Sequence, residues 1–330
     1  MSELDPPRRP ARPRWLTLLL QLTVSVGLLA VLVGMVDWGD LHDALAALST
    51  ERLLAVFLLC FGAQAMYVLR WRGLTDTLGI RESWSRSWHT VFAGLFLVNF
   101  LPGTLGSDGL RVVLLTKSCG RASTAVGAIA YDRLMQLALY VLVVALAALT
   151  PIAWLQPWLR AVIIFVSTAA VLLMIFILYW LGQRSVDSPP TRGGLLHTAW
   201  RLFATILVET GRMQSRMRRH RRAAWGFWMA SILNVGMIAA MWLLILGDMG
   251  YSIGIPAVLL ILGIVAIVTV VPISLNGLGI FEGSTVALLG LAAVQPAHSF
   301  LLALIVRAAF LAVSLIGLPS AMLLWQERRA

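Results

Sequence analysis

Charge is scarce in this 330-residue chain: Asp, Glu, Lys and Arg together make up 12% of it. That is about half the usual share of a soluble domain. Lysine occurs once, at Lys117, against 25 arginines, and the acids number 15. Cysteine occurs twice, at Cys60 and Cys119, which excludes a disulfide-stapled secreted scaffold. The five histidines (His42, His89, His197, His220 and His298) form no Cys/His cluster at metal-ligand spacing. There is no Gly-Lys-Ser/Thr phosphate loop. No cofactor, metal or catalytic group is therefore expected. What fills the chain instead is apolar, with 59% hydrophobic residues and a mean hydropathy of +0.86. A soluble protein of this size has too thin a polar shell to cover so much apolar surface. A soluble enzyme and a disordered chain are excluded, and a polytopic membrane protein is indicated.

The apolar residues fall into long runs at 15–36, 52–69, 122–149, 157–182, 223–246 and 298–325. A helix needs roughly 20 such residues to cross a bilayer. Two further runs are interrupted. One covers 88–101, breaks in a Pro/Gly-rich stretch and resumes at 109–116. The other covers 254–271, breaks over 272–283 and resumes at 284–294. The 14 residues of 88–101 make only about 21 Å of helix, against a bilayer core about 30 Å thick. Both interrupted runs are therefore expected to be re-entrant hairpins, at 88–116 and 254–294. The expected fold class is all-α, with about seven spanning helices plus two re-entrant helical hairpins. A single domain would cover 15–325, with a basic tail at 1–14 and a short tail at 326–330.

The net charge of +11 does not indicate nucleic acid, because the basic residues sit at the ends of the apolar runs. With a cytoplasmic N-terminus and two re-entrant hairpins, 21 of the 26 basic residues face the cytoplasm, Arg70 and Arg72 among them. Only Arg52 and Arg160 face outward, an asymmetry that follows the positive-inside rule. The expectation is a multi-pass protein of the plasma (inner) membrane with both termini cytoplasmic. The preference for Arg over Lys suggests a GC-rich bacterial genome. The polar stretch 183–222 carries Leu196, Trp200, Phe203 and Leu207 at helical steps between arginines. It reads as an amphipathic helix on the inner leaflet.

In this topology the two hairpins enter from opposite faces, as inverted repeats do. Their breaks are alike: Asn99-Phe-Leu-Pro-Gly-Thr-Leu-Gly-Ser-Asp-Gly-Leu-Arg111, and Pro272-Ile-Ser-Leu-Asn-Gly-Leu-Gly-Ile-Phe-Glu-Gly283. Six ionisable residues then fall within the membrane: Asp108, Arg111, Asp132, Arg133, Glu282 and Arg307. Each buried alone costs about 2.5–3.5 kcal/mol, so they must pair or line a wet cavity. Both returning half-helices start near mid-membrane with free N–H groups and a positive dipole end, which suits a phosphate. Pro102, Gly103, Gly106 and Gly109, with Pro272, Gly277, Gly279 and Gly283, would let the backbone turn close to a ligand. Arg111, Arg133 and Arg307 offer planar forks for phosphate, and Asn99 and Asn276 line the breaks with amides. Asp108, Asp132 and Glu282 complete the candidate substrate-binding set.

At these residues the chain resembles the transmembrane domain of lysylphosphatidylglycerol synthases, the flippase-like domain family. The likeness rests on Leu101-Pro102-Gly103 followed by Gly106-Ser107-Asp108 and Arg111, on Asp132-Arg133, and on Pro272 followed by Gly277-Leu278-Gly279 and Glu282. It covers about 15–325 and departs from the family pattern at Ser107, Asn276 and Phe281. With its end at Ala330, the chain is expected to lack the synthase domain of the bifunctional members. The resemblance implies a stand-alone member that flips a charged-head-group lipid between leaflets. The lipid would be an anionic or aminoacylated phospholipid or a polyprenyl-phosphate-linked lipid. Its expected partners are membrane lipids and a lipid-synthesis enzyme. Two other readings stay open: an intramembrane transferase acting on a lipid phosphate, and an accessory scaffold of a lipid-synthesis complex.

Overall fold

No water reaches the backbone inside a bilayer, so an apolar chain must satisfy its amides within helices or a closed barrel. The computed structural model of the protein describes residues 14–35, 37–46, 48–99, 105–183, 195–270 and 274–329, and every regular element among them is helical. In chain order these are α1 (Arg14–Met35), α2 (Trp38–Ala46), α3 (Thr50–Thr77), α4 (Trp84–Leu97), α5 (Leu105–Cys119), α6 (Ala122–Leu149) and α7 (Pro157–Gln183). There follow α8 (Leu195–Arg219), α9 (Arg221–Asp248), α10 (Ile255–Thr269), a 3-10 turn (Leu275–Gly277), α11 (Ile280–Leu291), α12 (Pro296–Leu315) and α13 (Leu318–Arg329).

Among the described residues, five helical units are long and apolar enough to cross a membrane: α3, α6, α7, α9 and α12 with α13. Helix α1 has 22 residues, or about 33 Å of length, and its described apolar stretch, Gln21–Gly34, counts among the shorter apolar helices. The expectation of about seven exceeds the six long apolar runs in the sequence, and two cytoplasmic termini require an even number of crossings. Four helices are too short to cross, with 14 residues in α4, 15 in α5, 15 in α10 and 12 in α11. They reach only about 18–22 Å. They form two hairpins, α4 on α5 and α10 on α11, at the places where the interrupted runs predict them.

Two long helices tie the hairpins together. Helix α6 packs on α5 and α10, and α12 packs on α4 and α11, so each touches one arm of both hairpins. The most extensive helix pair is α3 with α9, which closes around Trp71, Phe227 and Trp242, all at most 1% exposed. Ser49 and Ser83 cap α3 and α4 by accepting from the backbone N–H of Arg52 and Arg86. Pro256 and Pro296 open α10 and α12 at positions where a missing N–H costs nothing. Helix α7 is the lipid-facing edge, with Phe165 75% and Phe176 63% exposed.

Three elements differ from the sequence expectation. The apolar run ending at 69 continues as helix to Thr77, which carries Arg70 and Trp71 into the core. The stretch between the first two apolar runs, 37–51, contains a helix, α2. The basic stretch is helical over Leu195–Arg219, but α8 packs on α6 and α7 rather than lying on lipid alone. Its buried face is Val208, Thr210, Met213 and Met217, offset from the predicted stripe. Of that stripe Leu207 is half-buried, and the side chains of Leu196, Trp200 and Phe203 lie outside the described residues.

Candidate functional site

The second hairpin breaks over a turn of left-handed backbone. Asn276, Gly277 and Gly279 have φ of 49°, 71° and 81°, a region that Gly enters freely and Asn more readily than most residues. The turn lets α11 start directly over its own break. Glu282, in the first turn of α11 and 0% exposed, accepts from the Gly279 N–H at 2.7 Å. Its other oxygen accepts from Nε of Arg307 on α12. The Arg307 fork also reaches the carbonyls of Asn276 and Gly277, at 3.5 and 3.4 Å. The ring of Phe281 lies 5.5 Å from its guanidinium carbon.

The first hairpin repeats this plan. Asp108, in the first turn of α5, accepts from Arg133 on α6 at 2.9 and 2.8 Å. In both halves the arginine follows its acid by 25 residues, on the long helix that packs against the returning arm. This shared spacing is a second likeness between the two halves, beside their break sequences. Both arginines keep an accessible edge, with side-chain exposures of 39% for Arg133 and 27% for Arg307.

Among the described residues, the first half adds a buried cluster that has no counterpart in the second. Asp132 accepts from Nε of Arg70 at 2.7 Å and from Arg111 at 3.0 Å. Arg70 also donates to the Asp132 carbonyl. Arg111 donates to Asp108 at 3.1 Å and to the Tyr67 hydroxyl at 2.6 Å, and that hydroxyl donates to Asp132 at 3.2 Å. Trp71 and Tyr67 lie 4.7 and 5.0 Å from the Arg111 guanidinium. Arg70, Arg111 and Asp132 are at most 3% exposed. Helices α3, α5 and α6 are thus pinned at one point.

Sequence reasoning placed Arg70 with the exposed cytoplasmic charges and overlooked Tyr67. Arg70 is carried inward because α3 runs on past residue 69, which sets it and Trp71 at helical spacing from Tyr67, already within the predicted run. The correction changes the charge balance. The six predicted ionisable residues are neutral as a set, but with Arg70 the first cluster holds three guanidiniums and two carboxylates. Arg111 Nε, which is buried, has no hydrogen-bond partner. Among the described residues the cluster therefore carries one guanidinium more than it has carboxylates.

The predicted site residues do not all meet in one cavity. A pocket of about 340 Å³ sits between the two breaks, lined by Asn99, Ser274, Asn276, Gly277, Arg307 and Ser314. Leu95, Val98, Phe281, Val306 and Phe310 form its apolar walls. The amide of Asn99 donates to Ser314 at 2.7 Å, joining the first break to α12. Asp108, Arg111, Asp132, Arg133 and Glu282 are not part of the lining and pair with one another or with Arg307 instead. Gly106 lies in the first turn of α5 and Gly109 directly after Asp108; Gly283 follows Glu282 beside Leu32. Pro102, Gly103 and Pro272 lie outside the described residues.

A family model described as the lysylphosphatidylglycerol synthase TM region matches residues 18–317. The chain belongs to this family. The match spans both hairpins and every ion pair described above. Membership in the lysylphosphatidylglycerol synthase TM-region family points to a lipid-related function in a multi-pass membrane protein. No curated protein matches the chain.

Proposed function

We propose that the protein carries a lipid with a charged head group between leaflets of the plasma membrane. The head group passes through the pocket between the two hairpin breaks while the acyl chains stay in lipid. The observation that carries this reading is the pocket itself. It offers an Arg307 edge and two amides to a polar head, and apolar walls to the chain that follows. The surplus guanidinium of the neighbouring cluster favours an anionic or phosphate-bearing head. The 25-residue repeat gives the two halves equivalent acid–arginine pairs at half-helix starts, the arrangement of transporters that open to alternate sides.

The test is translocation in reconstituted vesicles, read by the accessibility of labelled lipid to a membrane-impermeant quencher. Removing Arg307 alone would strand the buried Glu282, so the paired change Glu282→Gln with Arg307→Gln is the variant of choice. Wild type is expected to equilibrate an anionic phospholipid or a lipid-linked phosphate, and the folded double variant to lose this. Equal rates for the two proteins across lipid classes would overturn the proposal.

A further inference from the structure

A second concavity, of about 860 Å³, opens where α8 gives way to α9 and shares no residue with the central pocket. Arg72 of α3 and Arg219, Arg221 and Arg222 gather at one end, and Met229 and Leu233 of α9 line the other. The last three arginines are exposed and form no ion pair with any described residue. Arg72 is held in place: it donates to the Glu82 carbonyl at 2.9 Å and stacks 4.1 Å over Trp84. Asp76 also lines the groove, so the four arginines and this acid leave three positive charges. The side chain of His220, at the start of α9, turns back to the Arg216 carbonyl at 3.1 Å and caps none of the helix's first amides.

The apolar end is built differently. Met229 and Leu233 are 43% and 47% exposed on a helix long and apolar enough to cross a membrane. They lie roughly 12 and 18 Å further along α9 than Arg221. Along α9 between them and the arginines, just outside the groove lining, stands Trp225, 68% exposed, a residue type that settles at the head-group level of a bilayer. The groove therefore crosses the boundary between head groups and acyl chains. A free anion would match only its basic end.

We propose that this groove holds an anionic phospholipid, with its phosphate against Arg72, Arg219, Arg221 and Arg222 and an acyl chain along Met229 and Leu233. The occupant bridges α3 to the α8–α9 junction and stands apart from any lipid in the central pocket. Guanidinium–phosphate pairing supplies the recognition, and the exposed apolar rail makes the ligand a lipid.

The test is native mass spectrometry of the full chain in detergent, titrated with phosphatidylglycerol or phosphatidylcholine. The groove variant is Arg219→Gln, Arg221→Gln and Arg222→Gln together. A control removes equal charge elsewhere, by Arg81→Gln, Arg86→Gln and Arg121→Gln, all exposed and outside the groove lining. A third protein, Gly226→Leu, fills the groove without changing charge, since a Cβ added there meets no atom within 4 Å. The groove variant is expected to lose at least about tenfold in phosphatidylglycerol retention, taking roughly fivefold per guanidinium as the scale. Gly226→Leu is expected to lose retention as well, and the control to stay within about twofold of wild type. Because the readout is a difference between variants, lipid in the central pocket cancels. Equal losses in control and groove variants would overturn the proposal, as would full retention in Gly226→Leu or equal retention of phosphatidylcholine. Displacement by inorganic phosphate would reassign the groove to free anions.

Discussion

Neutralising Asp132 gives the sharpest test of the buried cluster. The side chain is the shared acceptor for Arg70 and Arg111 and is 1% exposed. With Asp132→Asn, Asp108 is the one carboxylate left among three guanidiniums, and the net charge of the cluster rises from one to two. Removing one partner of a buried ion pair costs about 3–5 kcal/mol, because the other charge stays stranded. Arg70→Met removes the surplus charge instead. It gives up charge-assisted hydrogen bonds to Asp132 and the 4.8 Å contact with the Phe227 ring. The expected cost is about 1–3 kcal/mol. Combining the two changes restores the wild-type charge of the cluster. The double variant should therefore be more stable than Asp132→Asn alone, by about 1–2 kcal/mol, within the range of coupling between contacting residues. The assay is SDS titration in mixed micelles, followed by tryptophan fluorescence. If Asp132→Asn unfolds within about 1 kcal/mol of wild type, or the two costs simply add, the cluster does not pin the helices as described.

Two further outcomes follow from packing and exposure. A Cβ on Gly317 would overlap the Phe92 carbonyl and lie 2.9 Å from the Ser314 carbonyl, whereas one on Gly290 meets nothing within 4 Å. Gly317→Ala should therefore lose about 1–3 kcal/mol or more in the same titration, while Gly290→Ala should gain a few tenths; a reversed order would contradict the close approach of α4 to the α12–α13 break. Cys119 is half-exposed at the end of α5 and Cys60 is 1% exposed within α3. A membrane-impermeant maleimide should label Cys119 only in inside-out vesicles, and Cys60 only after unfolding in SDS. Labelling of Cys119 from the outside would invert the proposed orientation.

Much of the architecture can be read from the sequence because the bilayer fixes the length of a crossing helix. The run 88–101 with its Pro/Gly break marks a helix too short to cross, and α4 and α5 lie there with ends shifted by a few residues. The run 254–271 is nearly spanning length, yet Asn276-Gly277-Leu278-Gly279 signals the left-handed turn that ends it. Pairing is what a linear reading misses. Arg70 follows an apolar run and looks like a cytoplasmic flank, and only the approach of Asp132 from α6 makes its burial tolerable. The offset face of α8 has the same origin, since its helical stripe does not say whether lipid or α6 and α7 will cover it. One signal was available in the sequence: the 25-residue step from Asp108 to Arg133 is repeated from Glu282 to Arg307, and it sorts four of the six charges into two separate acid–arginine pairs.

The central claim is that the pocket between the two breaks receives a lipid head group. The most direct measurement is a cryo-electron microscopy density map of the protein in nanodiscs containing anionic phospholipid. The account predicts phosphate-sized density about 3 Å from the Arg307 guanidinium, between Asn99 and Asn276, continuous with acyl-chain density leaving past Phe281 and Phe310. A pocket closed by its own side chains, or filled by an acyl chain with its head group elsewhere, would contradict it.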